Sequence, residues 1–275
     1  MTSSTQQWSA LCGAGAVALV LAGCGTDGGV EEAVDPAGVA DTGASDTGSD
    51  EGGGERVGAG SQVDTGEFME RLRSPGEDTL GSFSLAMEMD LEGQAMTMEG
   101  VADLRGEDPA MDISMTVPGM GALEMILVDG SMFIAVPGVT QEGQFIQMTQ
   151  EELGMAGGGD LTGAVDMDRT WDAWETGTES VTFVGVEDVD GDPMEHFRLL
   201  VDTESAMDAS GETQGPGMPP TITYDVWVDD DDLMRQLEFE LEGAAAELRI
   251  DDWGEPVDVQ APDESDLVEM PRFTP

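Results

Sequence analysis

The sequence predicts an α+β fold in which a curved antiparallel sheet, or open barrel, carries short helices against one face. Three observations predict it. From Ser84 onward, apolar residues alternate with acidic ones at a period of two, the mark of strands with one wet face. The stretches between these runs are too short for the crossovers that parallel strands require, so the strands are antiparallel neighbours. Helical spacing is confined to a few short segments, too few to form a layer of their own.

The elements follow in order. Asp64 to Arg73 places Phe68, Met69 and Leu72 at helical spacing behind Asp64 and Thr65 as caps, so a short helix opens the domain. Ser84 to Glu92 puts Leu85, Met87, Met89 and Leu91 on one face and Glu88, Asp90 and Glu92 on the other. After the turn at Gly93, Gln94 to Leu104 forms a strand carrying Met96 and Met98. Ala110 to Val117 alternates through Met111, Ile113, Met115 and Val117 until Pro118-Gly119 breaks it. Leu123 to Val128 and Ser131 to Val136 flank Asp129-Gly130, a strong two-residue hairpin signal.

In the middle, Thr149-Gln150-Glu151-Glu152 reads as a capping box for a short helix through Met155, followed by Gly157-Gly158-Gly159. Asp168 to Glu175 spaces Trp171 and Trp174 as a second helix with an aromatic face. Strands return at Val181 to Val186 and His196 to Val201, joined by a turn over Asp188 to Pro193. A mobile Gly/Pro loop spans Gly211 to Pro220. Thr221 to Val228, a turn at Asp229 to Asp232, Arg235 to Leu241, Ala245 to Ile250 and a short strand near Val257 to Val259 complete about ten strands, all antiparallel.

Ahead of this domain, Ala10 to Gly23 is an uncharged apolar run, too short to span a bilayer and the right length for a signal-peptide core. It ends in Leu21-Ala22-Gly23-Cys24, which resembles the lipobox of bacterial lipoproteins. That resemblance implies a diacylglycerol on Cys24, cleavage between Gly23 and Cys24, and anchoring at the extracytoplasmic face of the cell membrane. Cys12 falls in the removed segment, so no disulfide is expected. Residues 24–63 then form a self-repelling acidic linker of roughly 35 Å, and residues 64–275 the folded domain.

Of 275 residues, 59 are acidic and 9 basic, giving a net charge of -50. Such a chain repels phosphate backbones and anionic headgroups, which argues against nucleic acid as a partner. With 39% hydrophobic residues in alternating runs, the domain still folds. His196 is the single histidine, and without a Ser or Cys partner in a turn motif it reads as an exposed or core-edge residue. No catalytic residues and no cofactor are expected.

Two acidic clusters invite a calcium reading. Asp188-x-Asp190-Gly191-Asp192 departs from the EF-hand at Pro193 and Leu199 and reads as a hairpin turn, as do Asp229 to Asp232. The methionines of adjacent strands could bring soft thioethers to Cu(I), but no His or Cys joins them. Methionine also lines surfaces that accommodate varied apolar shapes. Leu85, Met87, Met89, Met96, Met98, Met111, Ile113 and Met115 are therefore the candidate lining of an acyl-chain cavity, with an ordinary core as the other reading.

Near the C-terminus, Tyr224-Asp225-Val226-Trp227-Val228-Asp229, then Leu233 and Arg235, then Asp252-Trp253-Gly254-Glu255-Pro256-Val257-Asp258-Val259 and Ala261-Pro262, resemble the closing hairpin and tail of the actinobacterial LppX/LprG-type lipoproteins. The resemblance also takes in the lipobox, the opening helix and Ser82-Phe83. It implies a LolA-like fold, a strongly curved antiparallel half-barrel with short helices on its concave side around a cavity for acyl chains, and no catalytic residues. The expected function is a monomeric, membrane-anchored lipoprotein that binds or transfers a glycolipid or phospholipid. A surface lipoprotein with a filled core, acting as a structural or sensory module, and copper or calcium handling are the other readings.

Overall fold

A computed structural model describes residues 58–91, 93–105, 109–149, 167–211, 218–241 and 243–269. In chain order the elements are β1 (Ser61–Val63), α1 (Thr65–Arg73), α2 (Glu77–Leu80), β2 (Ser82–Leu91), β3 (Gln94–Asp103), β4 (Ala110–Val117), β5 (Gly121–Val128), β6 (Ser131–Ala135), β7 (Phe145–Thr149), α3 (Met167–Gly177), β8 (Thr178–Val189), β9 (Asp192–Asp202), α4 (Thr203–Ser210), β10 (Thr221–Val228), β11 (Met234–Leu241), β12 (Ala244–Asp251), and β13 (Leu267–Val268), which follows a short 3-10 turn. Thirteen strands form one curved, open sheet in the order β1-β8-β9-β10-β11-β12-β2-β3-β4-β5-β6-β7-β13. No described helix is long and apolar enough to cross a membrane.

Local chemistry accounts for most of these elements. The Asp64 side chain accepts from the Glu67 N–H and caps α1, whose last turn carries Arg71 and Arg73 beside the negative end of its dipole. Asp202 caps α4 in the same way through the Ser205 N–H, and Gly211 closes it in the left-handed conformation. Asp129-Gly130 turns β5 into β6 with both residues at positive φ, as that dipeptide predicts. In the β10–β11 turn, Asp229 Oδ1 accepts from the N–H groups of Asp231 and Leu233, while its Oδ2 accepts from Arg235 at 2.6 Å.

Several expectations need correction. The sheet begins at Ser61, inside the stretch read as linker, because Ser61 to Val63 find open ladder positions along Phe183 to Val181. Phe145 to Thr149 form β7, so Thr149 ends a strand; the rest of the capping-box segment and the glycines after it lie outside the described residues. No strand forms at Val257 to Val259. The last strand among the described residues is Leu267–Val268, paired parallel to β7, whereas the other described strand pairs are antiparallel. Part of the loop expected from Gly211 to Pro220 also lies outside the described residues, and α4, not expected, precedes it. Segments 1–57 and 270–275, with Gly23 and Cys24, are outside the description too.

The main core occupies the inner face of the sheet. Phe68, Met69 and Leu72 from α1, Trp171 from α3 and Ala206 from α4 join inward residues of β2 to β12 in one buried cluster. A smaller cluster sits on the opposite face of β5 to β7, where Ile126, Phe133, Ala135 and Phe145 are covered by Val259 and Leu267 of the C-terminal tail. The tail is fixed at its start by Trp253, which packs against Phe83 and donates from Nε1 to the Met234 carbonyl at 3.0 Å.

Candidate functional site

Strand register places the predicted lining residues side by side. Met87 lies opposite Met98, Met98 opposite Met115, Met89 opposite Met96, and Leu85 and Ile113 both face Gly100. A Cβ on Gly100 would fall 2.6 Å from the Asp112 carbonyl oxygen and 2.9 Å from Ile113 Cγ1, so glycine lets β3 and β4 close up here. The same face continues through Met125 and Leu127 of β5, Met132 and Ile134 of β6, and Ile146 and Met148 of β7. Those residues were not among the predicted lining; the alternation of Met125 and Leu127 is the sequence signal that points to them.

Burial along this face is graded. Leu85, Met87, Met98, Met111, Ile113 and Leu127 are buried, with Ile113 at 2% and Met98 at 3% exposed. Toward the end of the sheet where β2 turns into β3 and β4 into β5, the next inward residues, Met89, Met96, Met115 and Met125, are only half-buried. On the neighbouring strand β12, the residue opposite Met89 is the small Ala246. The helices lie over the other half, α1 and α3 with α4 against β8 and β9. There the inner face is aromatic: Trp174 meets Tyr224 at 5.5 Å between ring centres and Tyr224 meets Phe239 at 5.6 Å. Burial holds the Tyr224 phenol well above its ordinary range. The inner face thus offers flexible thioethers and aromatic rings, and among the described residues no acidic or arginine side chain is buried.

Charge is organised at the rim and on the outer face. Arg71 of α1 donates to Glu195 of β9 and to Asp232 of the β10–β11 turn, with its guanidinium carbon 5.6 Å from the Phe197 ring centre. Burial works against the charge of Arg71, but the hydrogen bonds and fields of Asp232 and Glu195 outweigh it and leave the group more basic than usual. Every arginine whose side chain is described is paired with a carboxylate, and all but Arg105, which pairs with Asp103 two residues before it, reach across to another element.

His196 is 5% exposed on the outer face of β9. Its Nδ1 lies 3.0 Å from Glu187 Oε1 and its Nε2 2.6 Å from Asp225 Oδ1. The ring stacks on Trp227 at 4.3 Å, and Trp227 Nε1 donates to Glu187 Oε2 at 3.1 Å. The bond to His196, then that from Trp227, holds the Glu187 carboxyl below its usual range. Among the described residues nothing nucleophilic is bonded to the ring, and the arrangement ties β8, β9 and β10 together.

The calcium candidates are already committed: Asp188 accepts from the Gly191 N–H, Asp190 pairs with Arg249, and Asp229 holds its own turn. Among the described residues no group of three or more His, Cys, Asp or Glu converges as a metal site.

Comparison with known proteins agrees with this architecture. The fold is similar to that of LprF from Mycobacterium bovis, with a TM-score of 0.54 at 15% identity, covering 74% of this chain and 99% of that one. LppX, a lipoprotein of Mycobacterium tuberculosis, gives a TM-score of 0.48 at 14% identity over 71% of this chain and 99% of its own. A LolA superfamily protein from Nitrosomonas europaea gives 0.28 at 13% identity, over 72% and 96%. No curated protein matches the sequence. Residues 14–251 match a family of unknown function, DUF7537, and the chain belongs to that family, with a fold similar to that of LprF.

Proposed function

We propose that the protein is a lipoprotein anchored through Cys24 at the extracytoplasmic face of the cell membrane, and that it binds or transfers an acylated lipid, glycolipid or phospholipid, on the methionine-lined inner face of β2 to β7. The observation that carries this reading is the graded burial of that face. A filled core would be closed at both ends. Here the inward residues at one end, Met89, Met96, Met115 and Met125, are half-buried and flexible. An acyl chain laid along them would bury apolar surface worth about 25 cal/mol per Å². The protein is on this reading a carrier and not an enzyme.

The second reading, a structural or sensory module with a filled core, is favoured by the tight burial of Met98 and Ile113, which lie directly across the ladder from half-buried Met115 and Met125. The two part in one experiment. The full chain is purified without its acyl anchor, its bound lipid is measured by native mass spectrometry and solvent extraction, and uptake of a fluorescent fatty acid is titrated. Co-purifying lipid or saturable uptake supports the carrier; repeated absence of both refutes it and leaves the filled core. Metabolic labelling with a fatty acid tests the anchor separately, with loss of label expected in Cys24→Ala.

A further inference from the structure

We infer that the end of the sheet carrying the β4–β5 and β6–β7 turns docks onto a zwitterionic lipid bilayer, with Met120 and Val139 entering its interface. Met120 is 53% exposed and Val139 41%. They sit at the tips of neighbouring turns: a Cβ on Gly121 would lie 3.3 Å from the Pro137 ring, so the two tips abut. Both tips are tight Pro-Gly turns, with Gly119 at φ +80° and Gly138 at φ +78°.

Charge selects the partner. In a chain of net charge -50, residues 117–123 (VPGMGAL) and 132–141 (MFIAVPGVTQ) carry no charged side chain. Glu124 and Glu142 are the nearest carboxylates in sequence. Glu142 stands in the β6–β7 connection beyond its Pro-Gly turn, and the neighbouring β2–β3 and β11–β12 turns each include a glutamate in sequence, Glu92 and Glu242, so the apolar footprint is limited to Met120, Val139 and their Pro-Gly turns. That footprint is far too small for a stable protein interface, which needs on the order of 1,000 Å², whereas shallow insertion of a few apolar side chains between headgroups needs no such area. Anionic headgroups would repel the surrounding carboxylates, so the fitting surface is electrically neutral. Register places these tips at the same end as half-buried Met89, Met96, Met115 and Met125. Docking there brings the open end of the methionine face to the bilayer, a consequence that rests on the acyl-binding reading, although the docking itself does not.

The test uses the full chain with Cys12→Ser and Cys24→Ser, in which the apolar segment 10–23 remains. A single cysteine carrying a nitrobenzoxadiazole label is placed at Met120 or, as a control at the opposite end of the sheet, at Asp129. With phosphatidylcholine vesicles, the label at position 120 is expected to shift to the blue and to be quenched by doxyl-labelled lipid, while the label at 129 stays in water. Equal, unshifted emission at both positions overturns the proposal. So does a shift at 120 that needs no vesicles and grows with protein concentration, which would mark contact with a second copy. In a second arm, Met120→Glu with Val139→Glu is expected to slow uptake of a fluorescent fatty acid from vesicles by roughly tenfold and to leave uptake from a monomeric dispersion unchanged. Equal uptake from vesicles by the variant and the unsubstituted chain overturns docking as the route of transfer. No uptake from either source, with the label at 120 still shifted, refutes acyl binding and leaves docking standing.

Discussion

Arg71 is the point at which helix α1 is latched to the sheet, and replacing it by methionine removes the latch while keeping an unbranched, apolar side chain of similar length. The side chain makes two hydrogen bonds to ionised partners, Glu195 and Asp232. Such bonds carry about 1.5 kcal/mol each at the low end of their range. The two carboxylates are 39% and 35% exposed, so solvent screening reduces the sum of about 3 kcal/mol to roughly 2 kcal/mol. With a urea m-value of about 3 kcal/mol/M for a domain of this size, Arg71→Met lowers the unfolding midpoint by about 0.7 M with the slope unchanged. The loss has a second source, since the variant leaves Glu195 and Asp232 facing each other without a cation. Adding Glu195→Gln and Asp232→Asn to Arg71→Met is therefore expected to recover part of the midpoint, and molar salt to narrow the gap between Arg71→Met and the unsubstituted chain. A midpoint shift within about 0.2 M of zero, or a triple variant no more stable than the single one, refutes the electrostatic latch.

Three further outcomes follow from the geometry. Gly100→Ala forces a methyl group against the Asp112 carbonyl and is expected to cost about 1–3 kcal/mol, read as a lowered thermal midpoint; an unchanged midpoint means that β3 and β4 do not pack as closely as described. Gly177→Ala pushes its Cβ to 2.6 Å from that of Ala206 and is expected to loosen the α3–α4 pair, seen as faster amide exchange in Thr203 to Ser210. Glu187→Gln tests the sign of a pH effect. Since the folded-state carboxyl is held below its usual range, its stabilising contribution is full above the unfolded value and is lost as pH falls through the folded one. The unsubstituted protein is thus more stable than Glu187→Gln near pH 7, and thermal scans at successively lower pH should show the difference shrink once pH falls below the ordinary carboxylate range; a difference that stays constant on acidification contradicts the pairing.

The strands with one wet face were legible because alternation alone marks them: β2, β4 and β10 fall close to the runs that show it. β7 was not, since Phe145 is buried on the outer face under the tail and Ile146 on the inner face, which erases the period of two. The eight-residue α4 carries only a weak apolar stripe, and its clearest signal is the Asp202 cap. The same limit holds for the site. Methionines on β2, β3 and β4 could be grouped by face, but which residue meets which depends on register, which the turns between these strands set and the alternation alone does not. His196 shows this most sharply. Its partners Glu187 and Asp225 come from the strands on either side, and Trp227 lies directly across the ladder, so a lone histidine in the sequence becomes a three-strand tie only once β8, β9 and β10 are aligned.

Both edges of the sheet are finished by the segments nearest the two ends of the described chain, β1 along β8 and β13 along β7. Each is only two or three residues long, which leaves little ladder for another molecule to extend. The second edge carries a consequence for biogenesis. Phe145, Phe133 and Ile126 remain uncovered until Val259 and Leu267 have been made, so a nascent chain exposes a sticky patch beside an open strand until that tail emerges. Clipping the tail ahead of Val259 would leave that patch bare beside an open strand edge, a site for association with other chains.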